Sequence, residues 1–196
     1  MAWFSFHTLW IEELLMAVYT VEHHTTLTEN TSWFHVQVIP DTYDHLLIKA
    51  STRDSSGGAG RYPRLYLGTP TFATGIYHDM TLYARTASSG TNGIQTGGNT
   101  GADYFHLYYG ADDNNTADTF GNTTIWIPHY ANDANFKQVF CSETGPGATV
   151  ADYNWGMGIC AGVWEETDPV VDVKFAPSAG NWMTGSSLTL YGVTGA

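Results

Sequence analysis

Acidic residues in the loop from Ala111 to Asp118 are the first candidates for chemistry, because carboxylates there could bind calcium. Asp112, Asp113 and Asp118 flank two asparagines, and Ca²⁺ prefers oxygen ligands of this kind. The segment lacks the Asp-x-Asp-x-Asp-Gly spacing and the distal bidentate glutamate of an EF-hand. Two interpretations therefore stay open, an irregular calcium loop and a solvated acidic loop, and we favour the second.

A second acidic group follows Trp164 and suggests the carboxylate pair of a glycoside hydrolase. Such a pair must face each other about 5–10 Å apart across a cleft. Glu165, Glu166 and Asp168 instead fall within one Glu-Glu-Thr-Asp-Pro turn, where neighbours in sequence do not face each other. The chain also lacks a Gly-x-Ser-x-Gly elbow, a phosphate-binding loop and a dinucleotide fingerprint. We therefore expect no enzymatic activity, no catalytic residue and no cofactor.

Histidines and cysteines do not form a recognisable metal site. His23 and His24 are adjacent, and adjacent residues of a regular strand point to opposite faces, so they cannot share one ion. Cys141 and Cys160 lack Cys-x-x-Cys spacing. They could be bridged if their strands are neighbours, but we favour two free thiols because buried cysteines commonly act as small apolar groups. No metal ligand is predicted.

Aromatic residues are the remaining candidates for a binding site. They make up 14% of the chain, which is an unusually large share beside only 13% charged residues. Flat rings with a polar edge suit sugar stacking and protein interfaces, and they also fill cores. Packing in the core or between subunits is the interpretation we favour. The residues that could contact a glycan or an interface are Trp126, Tyr130, Trp155, Trp164 and Trp182.

The elements that would position these residues are β-strands. In the last quarter of the chain, Val171, Val173 and Phe175 alternate with other residues, as half-buried strands require. Leu188 and Leu190 show the same period after a link rich in Gly, Ser and Asn, residues that favour chain reversal. The two segments are therefore predicted to be neighbouring strands of one sheet.

Earlier segments repeat this period of two. Strands are expected within residues 18–21, 33–39, 45–52, 63–68, 80–85, 104–109, 120–130, 136–141 and 156–164. A Pro-Asp turn at residues 40–44 predicts that the second and third form a hairpin. Residues 87–103 lack apolar periodicity and are predicted to be an exposed loop. Roughly nine or ten short strands predict an all-β sandwich or barrel, formed by residues 16–196 as a single domain.

The charge balance limits the possible partners. The chain has 7 basic against 19 acidic residues and a net charge of −12, so we expect no nucleic-acid partner, because phosphate binding needs clustered Lys and Arg. The crowding of basic residues into one stretch indicates either a less acidic side that docks on a scaffold or, as we favour, ordinary placement at strand edges. These residues are Lys49, Arg53, Arg61, Arg64 and Arg85.

Residues 1–15 differ in character from the rest and are predicted to be a short N-terminal arm. The segment has no basic beginning and carries two glutamates, so neither a secretory signal nor a membrane span is predicted. One face could form an amphipathic helical stripe that anchors the chain to a neighbouring subunit. The alternative is that translation begins at Met16. The stripe would consist of Trp3, Phe6, Trp10 and Leu14.

Five segments, in this order and spacing, together carry a resemblance. They are Met16-Ala-Val-Tyr, Val38-Ile-Pro-Asp-Thr-Tyr-Asp-His-Leu-Leu-Ile-Lys-Ala, Ile125-Trp-Ile-Pro-His-Tyr-Ala-Asn with Phe136-Lys-Gln-Val, Ala161-Gly-Val-Trp, and Pro177-Ser-Ala-Gly-Asn-Trp-Met-Thr-Gly-Ser-Ser-Leu-Thr-Leu-Tyr-Gly-Val. On these segments, residues 16–193 resemble a group of small virion structural proteins of tailed bacteriophages, frequent in aquatic phages. Residues 1–15 lie outside the resemblance.

The resemblance implies an antiparallel β-sandwich of jelly-roll type without catalytic residues. It further implies a structural role in the virion, as a capsid decoration or as part of a fibre or tail, with assembly in the host cytoplasm. The expected partners are copies of the chain itself, in a homotrimer or another ring, and other capsid or tail proteins. A glycan-binding module that attaches the virion to the host surface is the alternative.

Overall fold

The computed structural model describes residues 17–57, 62–69, 71–86, 92–107, 110–146 and 156–195. Every regular element in these ranges is a strand, which confirms the all-β prediction. Within the same ranges, no helix offers the length and apolar character needed to span a membrane. The strands are β1 (Val18–Thr26), β2 (Phe34–Val36), β3 (His45–Asp54), β4 (Arg64–Gly68), β5 (Tyr77–Thr86), β6 (Asn92–Ala102), β7 (Phe105–His106), β8 (Ala111–Asp112), β9 (Gly121–Pro128), β10 (Lys137–Gly145), β11 (Gly156–Trp164), β12 (Asp172–Ala176) and β13 (Ser187–Thr194).

The strands form two sheets that pack as a β-sandwich, as predicted. The large sheet has the order β1-β13-β3-β9-β10-β11-β5-β6, and the short β8 adds to β3 in parallel. The small sheet has the order β2-β12-β4-β7. All these neighbours except β3 and β8 run antiparallel. We call the face of each sheet that packs on the other sheet its inner face, and the opposite face its outer face.

Strict alternation of burial along β9 and β10 explains why these segments form strands. In β9, Thr123, Ile125 and Ile127 are buried, while the residues between them reach solvent. This period of two is the pattern of a strand with one face on the core. The strand ends at Pro128, because proline has no amide hydrogen to donate to the ladder.

Large aromatic residues join the inner faces of the two sheets. The ring of Tyr77 in β5 lies 5.0 Å from that of Phe105 in β7 and 6.2 Å from that of Trp164 in β11, measured between centroids. The Tyr77 hydroxyl donates to the Leu67 carbonyl at 2.8 Å and accepts from the Leu67 amide at 3.0 Å. A buried tyrosine with both hydrogen bonds satisfied therefore connects the large sheet to β4 of the small sheet.

The glycine-rich strand β11 allows a neighbouring side chain to approach its backbone closely. A Cβ atom at Gly162 would lie 2.6 Å from Cε1 of Phe105 and 2.7 Å from the carbonyl oxygen of His78. Both distances are shorter than a side chain tolerates. Glycine at this position therefore lets Phe105 pack directly on the backbone of the large sheet.

The predicted neighbour relation of the last two strands is wrong. β12 pairs with β2 and β4 in the small sheet, whereas β13 pairs with β1 and β3 in the large sheet. The Gly- and Ser-rich link carries the chain from one sheet to the other instead of reversing it within one. The predicted hairpin around Pro40 is wrong for the same reason, because β2 and β3 also belong to different sheets.

Residues 92–102 were predicted to lie in a loop, but they form β6, which pairs antiparallel with β5 along its length. The segment lacks apolar alternation because β6 lies at the edge of the large sheet, where side chains stay exposed. Its backbone hydrogen bonds, which leave no trace in hydropathy, hold it in the sheet.

Cys141 and Cys160 lie directly opposite each other on β10 and β11. Both are buried on the inner face and both are free thiols, as favoured from the sequence. Hydrogen bonding to Cys160 and burial raise the pKa of the Cys141 thiol far above its usual range. Since the thiolate is the reactive form, this pair acts as small apolar groups of the core and not as nucleophiles.

Candidate interaction surface on the large sheet

The outer face of the large sheet carries large apolar side chains that meet solvent. Met80 and Ile94 expose 71% and 76% of their surface. Contiguous exposed apolar areas are uncommon on monomeric proteins and mark sites of interaction. We call this area the apolar patch. Its members are Met80, Leu82, Ile94, Phe140, Met157 and Ile159.

The strand register places these side chains in three adjacent rows. From β10 through β11 and β5 to β6, the rows are Phe140-Ala161-Met80-Gly98, Ser142-Ile159-Leu82-Thr96 and Thr144-Met157-Ala84-Ile94. Residues opposite each other in antiparallel strands have Cβ atoms about 4.5–5.5 Å apart. The six residues of the apolar patch, distant in sequence, therefore form one continuous surface.

The sequence of β11 explains why this surface is unusual. Met157, Ile159 and Ala161 are exposed, whereas Gly158 and Cys160 between them are buried on the inner face. A strand that is apolar on both faces is typical of a sheet covered on both sides. One side of β11 is covered by the small sheet, and the other is exposed in the part of the chain that the structure describes. The outer face is therefore a surface that a partner can cover.

A groove of about 580 Å³ crosses the outer face beside the apolar patch. Trp126 and Phe140 lie opposite each other on β9 and β10 and line one side, and Met80 lines the other. The small side chain of Ala161 lies between Phe140 and Met80 and deepens the groove. His78, Asn99, Thr100 and Gln138 add polar groups to its lining.

The part of the outer face formed by β9, β10, β11, β5 and β6 is neutral, although the whole chain is strongly acidic. Of the side chains described on the outer face of β9, β10, β11, β5 and β6, none belongs to Asp, Glu, Lys or Arg. A carboxylate appears only at the rim, where Glu165 lies 3.3 Å from Nε2 of His78. With a net charge of −12, two copies repel each other least where they present this face.

His45 lies beside the groove and packs against two rings. Its ring centroid is 4.8 Å from that of Trp126 and 4.7 Å from that of His129. The backbone amide of His129 donates to Nδ1 of His45 at 3.0 Å, so this nitrogen must be unprotonated. Burial lowers the pKa of His45, and the neighbouring His129 acts in the same direction against the opposing effect of Asp44.

Acidification is expected to destabilise the fold through His45. The folded state holds this residue neutral, so below about pH 6.5, its pKa in an unfolded chain, the unfolded state binds the proton more readily and gains stability. Urea unfolding at pH 7.5 and pH 5.5 should therefore give a smaller free energy of unfolding at the lower pH. His45→Asn keeps an acceptor for the His129 amide and should reduce this pH dependence. If the free energy of unfolding of the variant depended on pH as strongly as that of the wild type, the pH dependence would belong to other groups. His23 is one such group, because burial also lowers its pKa.

The sequence-predicted aromatic residues separate into surface and core. Trp126 is half-buried and lines the groove. Tyr130, Trp164 and Trp182 have no exposed surface, so they cannot stack on a sugar or contact a partner, and the predicted contacts are wrong for these three. They fill the core, which is the alternative that the sequence favoured. Trp155 lies outside the described residues, as do Trp3, Phe6, Trp10 and Leu14 of the predicted arm.

The acidic loop after β8 is organised around an arginine of the protein itself. Arg53 of β3 is buried and donates from Nη1 to the Thr116 carbonyl at 2.9 Å. Its Nη2 donates to the carbonyls of Asp113 and Asn115 at 3.2 and 3.1 Å. Backbone carbonyls are the groups that a calcium loop would turn toward its ion. Here the Arg53 guanidinium binds these carbonyls in place of an ion, which favours a structural interpretation of the loop.

The other candidate ligands and carboxylates are not gathered into a site. Glu166 accepts from the backbone amides of Thr167 and Asp168 at 2.8 and 3.4 Å and so stabilises its own turn. His23 and His24 contact different threonines, Thr25 and Thr189 in turn. Across the described ranges, no group of three or more His, Cys, Asp or Glu residues could hold a metal ion.

The basic residues that cluster in sequence do not share a surface. Lys49 lies on the outer face of the large sheet and Arg64 on the outer face of the small sheet, while Arg53 is buried. Arg61 and the side chain of Arg85 lie outside the described residues. The described part of this stretch therefore forms no single basic docking side.

A second aromatic cluster, on the outer face of the small sheet, is filled by a lysine of the chain. Nζ of Lys174 lies 4.0 Å from the ring centroid of Tyr66, 4.7 Å from that of Phe72 and 5.8 Å from that of Trp33. Burial lowers the pKa of Lys174. These rings already have a cation–π partner, so the cluster offers less to a ligand than the groove on the large sheet.

Sequence reasoning missed most of the surface that the fold assembles. Phe140, Met157 and Ile159 alternate with buried residues that are also apolar or are glycine, so hydropathy alone does not distinguish the outer face from the inner face.

A buried polar network was also missed. Asp79 accepts from the side chain of Asn99 at 3.0 Å and from the backbone amide of His106 at 3.1 Å, which fixes β6 and β7 to β5.

Comparison of the chain with protein-family models, with curated proteins and with solved structures finds no match. The function must therefore be argued from the residues themselves.

Proposed function

We propose that the protein is a non-enzymatic structural subunit of a bacteriophage virion that packs its outer face against copies of itself or a scaffold. The observation that carries the proposal is the neutral, solvent-exposed apolar patch on a chain of net charge −12. Burial of apolar surface stabilises association by roughly 25 cal/mol per Å² before the costs of binding. The phage origin rests on the resemblance carried by the five segments of sequence.

The dimensions of the outer face suit a protein partner. Five strands about 4.8 Å apart, each contributing about 20 Å of length, give a flat area on the order of 500 Å². Stable interfaces bury about 800 Å² on each partner. Projecting side chains such as Phe140 and Met80 add to the flat area, so the face supplies a large share of one such interface, with the remainder expected from neighbouring surfaces.

Polar substitution in the apolar patch is expected to weaken self-association. The double variant Phe140→Ser, Met157→Ser removes two exposed apolar side chains without touching the core. We expect the mass measured by light scattering to fall below that of the wild type, toward a small multiple of the 21.5 kDa chain mass, at concentrations where the wild type is oligomeric. Far-UV circular dichroism and thermal unfolding should match the wild type.

Trp33→Ser is the matched control, because Trp33 is also a large exposed residue but lies by the small sheet. Its mass should equal that of the wild type. An unchanged mass for the double variant would show that the apolar patch takes no part in self-association.

The virion assignment has a separate test. Antibodies against the chain should label the capsid or tail of particles of the phage that encodes it, and their failure to bind any particle would contradict the assignment.

A glycan-binding role is the second candidate, and the groove beside the apolar patch favours it. The half-buried ring of Trp126 lies in the groove with Gln138 and His78, whose side chains could bond sugar hydroxyls. Trp126→Ala should then lower binding on a glycan array while leaving the oligomeric mass unchanged. A structural role for Trp126 predicts the reverse, a changed mass and no glycan signal from the wild type.

A further inference from the structure

The edge strand β6 is the part of the large sheet least protected against pairing with another chain. Among the described residues, β5 is the single strand hydrogen-bonded to β6. A strand at a sheet edge presents a row of backbone donors and acceptors, and natural edges are protected by charges, proline, bulges or short length. From Asn92 to Ala102, the strand has no charged residue and no proline, and it is eleven residues long. Its one register shift lies near its end, between Asn99 and Ala102, so the stretch from Asn92 to Asn99 pairs regularly with β5.

The other edges of the two sheets are protected more fully than β6. β1, at the opposite edge of the large sheet, has a register shift in the middle of its length, between Val21 and His23, and carries Glu22. The edges of the small sheet, β2 and β7, are three and two residues long. The contrast identifies β6 as the edge that is open to a partner strand.

The sequence of β6 is suited to pairing with itself. Residues 93–101 read Gly-Ile-Gln-Thr-Gly-Gly-Asn-Thr-Gly, and the central residue is Gly97. When two copies run antiparallel about a two-fold axis at Gly97, Gly93 meets Gly101, Ile94 meets Thr100, Gln95 meets Asn99 and Thr96 meets Gly98. Three of these four pairs join residues of one kind, namely glycines, β-branched residues and amides, and the β-branched pair is of a type that stabilises sheets.

The neighbourhood of β6 also favours a second copy of this chain as the partner. No charged residue in the strand opposes the approach of another acidic molecule. A two-fold axis between antiparallel strands is perpendicular to the sheet, so both apolar patches would lie on the same side. Ile94 and Leu82, next to the axis, would then join the two patches into one surface of about twice the area.

We propose that two copies of the chain associate through antiparallel pairing of their β6 strands about Gly97. The large sheets become one continuous sheet of sixteen consecutively paired strands, and the joined outer face is the unit that meets the next partner. The inference rests on the proposed self-assembly and adds the strand, the symmetry and the register. A two-fold contact is isologous, so it gives dimers or assemblies built from dimers.

Disulfide trapping tests the register directly. In Ile94→Cys, Thr100→Cys, the two new cysteines are six residues apart in one strand, too far for a bond within a chain. In the proposed pair, Cys at 94 faces Cys at 100 of the second copy, within the Cα separation of about 4.4–6.8 Å that a disulfide needs. Mild oxidation should therefore give a covalent dimer in high yield. Each single variant places its cysteines about 20 Å from their equivalents and should give none. The wild type is the background control, because its two thiols are buried.

Charge at the axis tests the association without any cross-link. Thr96 would lie opposite Gly98 of the second copy, so Thr96→Lys places two ammonium groups diagonally across the two-fold axis, on one face of the pair. Long side chains on diagonal neighbours about 7–8 Å apart still interact, and like charges there destabilise a strand pair. Light scattering should give twice the 21.5 kDa chain mass, or an even multiple of it, for the wild type and about one chain for the variant. Hydrogen exchange of the wild type needs no variant: consecutive amides from Gly93 to Asn99 should be protected when both edges are paired, and alternate amides when only β5 is paired.

The outcomes separate this inference from the proposed function. A wild-type mass of three chains, absence of a covalent dimer from the folded double variant, or equal trapping of the single variants would overturn β6 pairing while leaving self-assembly intact. A wild type that stays at one chain at every concentration would overturn both. Trapping of the double variant alone, with loss of the dimer in Thr96→Lys, supports the inference.

Discussion

Replacing Trp182 with alanine is expected to lower the free energy of unfolding by about 3–5 kcal/mol, the usual cost of truncating a buried aromatic residue. The ring has no exposed surface and stacks on Phe175 at 5.3 Å between centroids. Its Nε1 donates to the Phe175 carbonyl at 2.9 Å. The backbone amide of Trp182 donates to the Thr31 carbonyl at 2.7 Å, and the Thr31 amide donates back at 3.0 Å. Urea unfolding followed by fluorescence measures the effect.

Two comparison variants separate the contributions of Trp182. Trp182→Phe keeps an aromatic ring against Phe175 but leaves a buried carbonyl without its donor, which should cost about 1–3 kcal/mol. Trp33→Ala removes a tryptophan that is half exposed and should cost less than about 1 kcal/mol. If Trp182→Ala were no more destabilising than Trp33→Ala, the assignment of Trp182 to the core would be wrong.

Replacing Arg53 with alanine is expected to lower the free energy of unfolding by about 3 kcal/mol. The substitution removes three hydrogen bonds from a charged group to the carbonyls of Asp113, Asn115 and Thr116. Hydrogen bonds of charged groups contribute about 1.5–3 kcal/mol, and the carbonyl of the buried Asn115 would lose this donor, whereas the Thr116 carbonyl keeps the amide and hydroxyl of Thr119. The loop after β8 should also lose amide protection in hydrogen exchange, because no other side chain in the described contacts joins all three carbonyls.

Lys49→Ala, an exposed basic residue of the same strand, is the matched control and should change stability by less than about 0.5 kcal/mol. The loss of stability in Arg53→Lys should lie between those of the two alanine variants, because an ammonium group lacks the planar geometry with which a guanidinium reaches all three carbonyls.

A calcium loop makes a different prediction. Addition of EDTA to the wild type would then lower the unfolding midpoint, whereas the arrangement around Arg53 predicts an unchanged midpoint.

Period-two alternation was sufficient to locate the strands that face the core. β13 alternates Leu188 and Leu190 with other residues, and burial alternates along β9 and β10, so all three lie close to where the sequence predicts them. β6 could not be found in this way, because its residues from Gly93 to Ala102 are exposed or half-buried and its glycines carry no hydropathy signal. It is defined by backbone hydrogen bonds to β5, which depend on a segment elsewhere in the chain.

Strand pairing and the position of the tryptophans also depend on distant segments. The Gly- and Ser-rich link before β13 permits a reversal within one sheet and equally a crossing between sheets, and tertiary packing decides between them. Trp126 and Trp164 both lie in alternating strands, yet one is half-buried by the groove and the other fully buried. The difference follows from the face of the sheet on which each side chain lies. A shift of one residue in register moves every side chain of a strand to the opposite face, so it would bury Trp126 or expose Trp164.

In each sheet, a strand from the last quarter of the chain lies between two strands from much earlier in the chain. β13 lies between β1 and β3, and β12 lies between β2 and β4. During synthesis, β1 has no neighbour in its sheet, and β2 and β4 are not joined, until residues 172–194 have been made. Contacts so distant in sequence form slowly, because loop closure costs entropy before pairing compensates for it. Neither sheet can therefore be completed before the end of synthesis. Until then, unfinished chains on the same messenger RNA expose unpaired strand edges, and edges of different molecules can pair with each other.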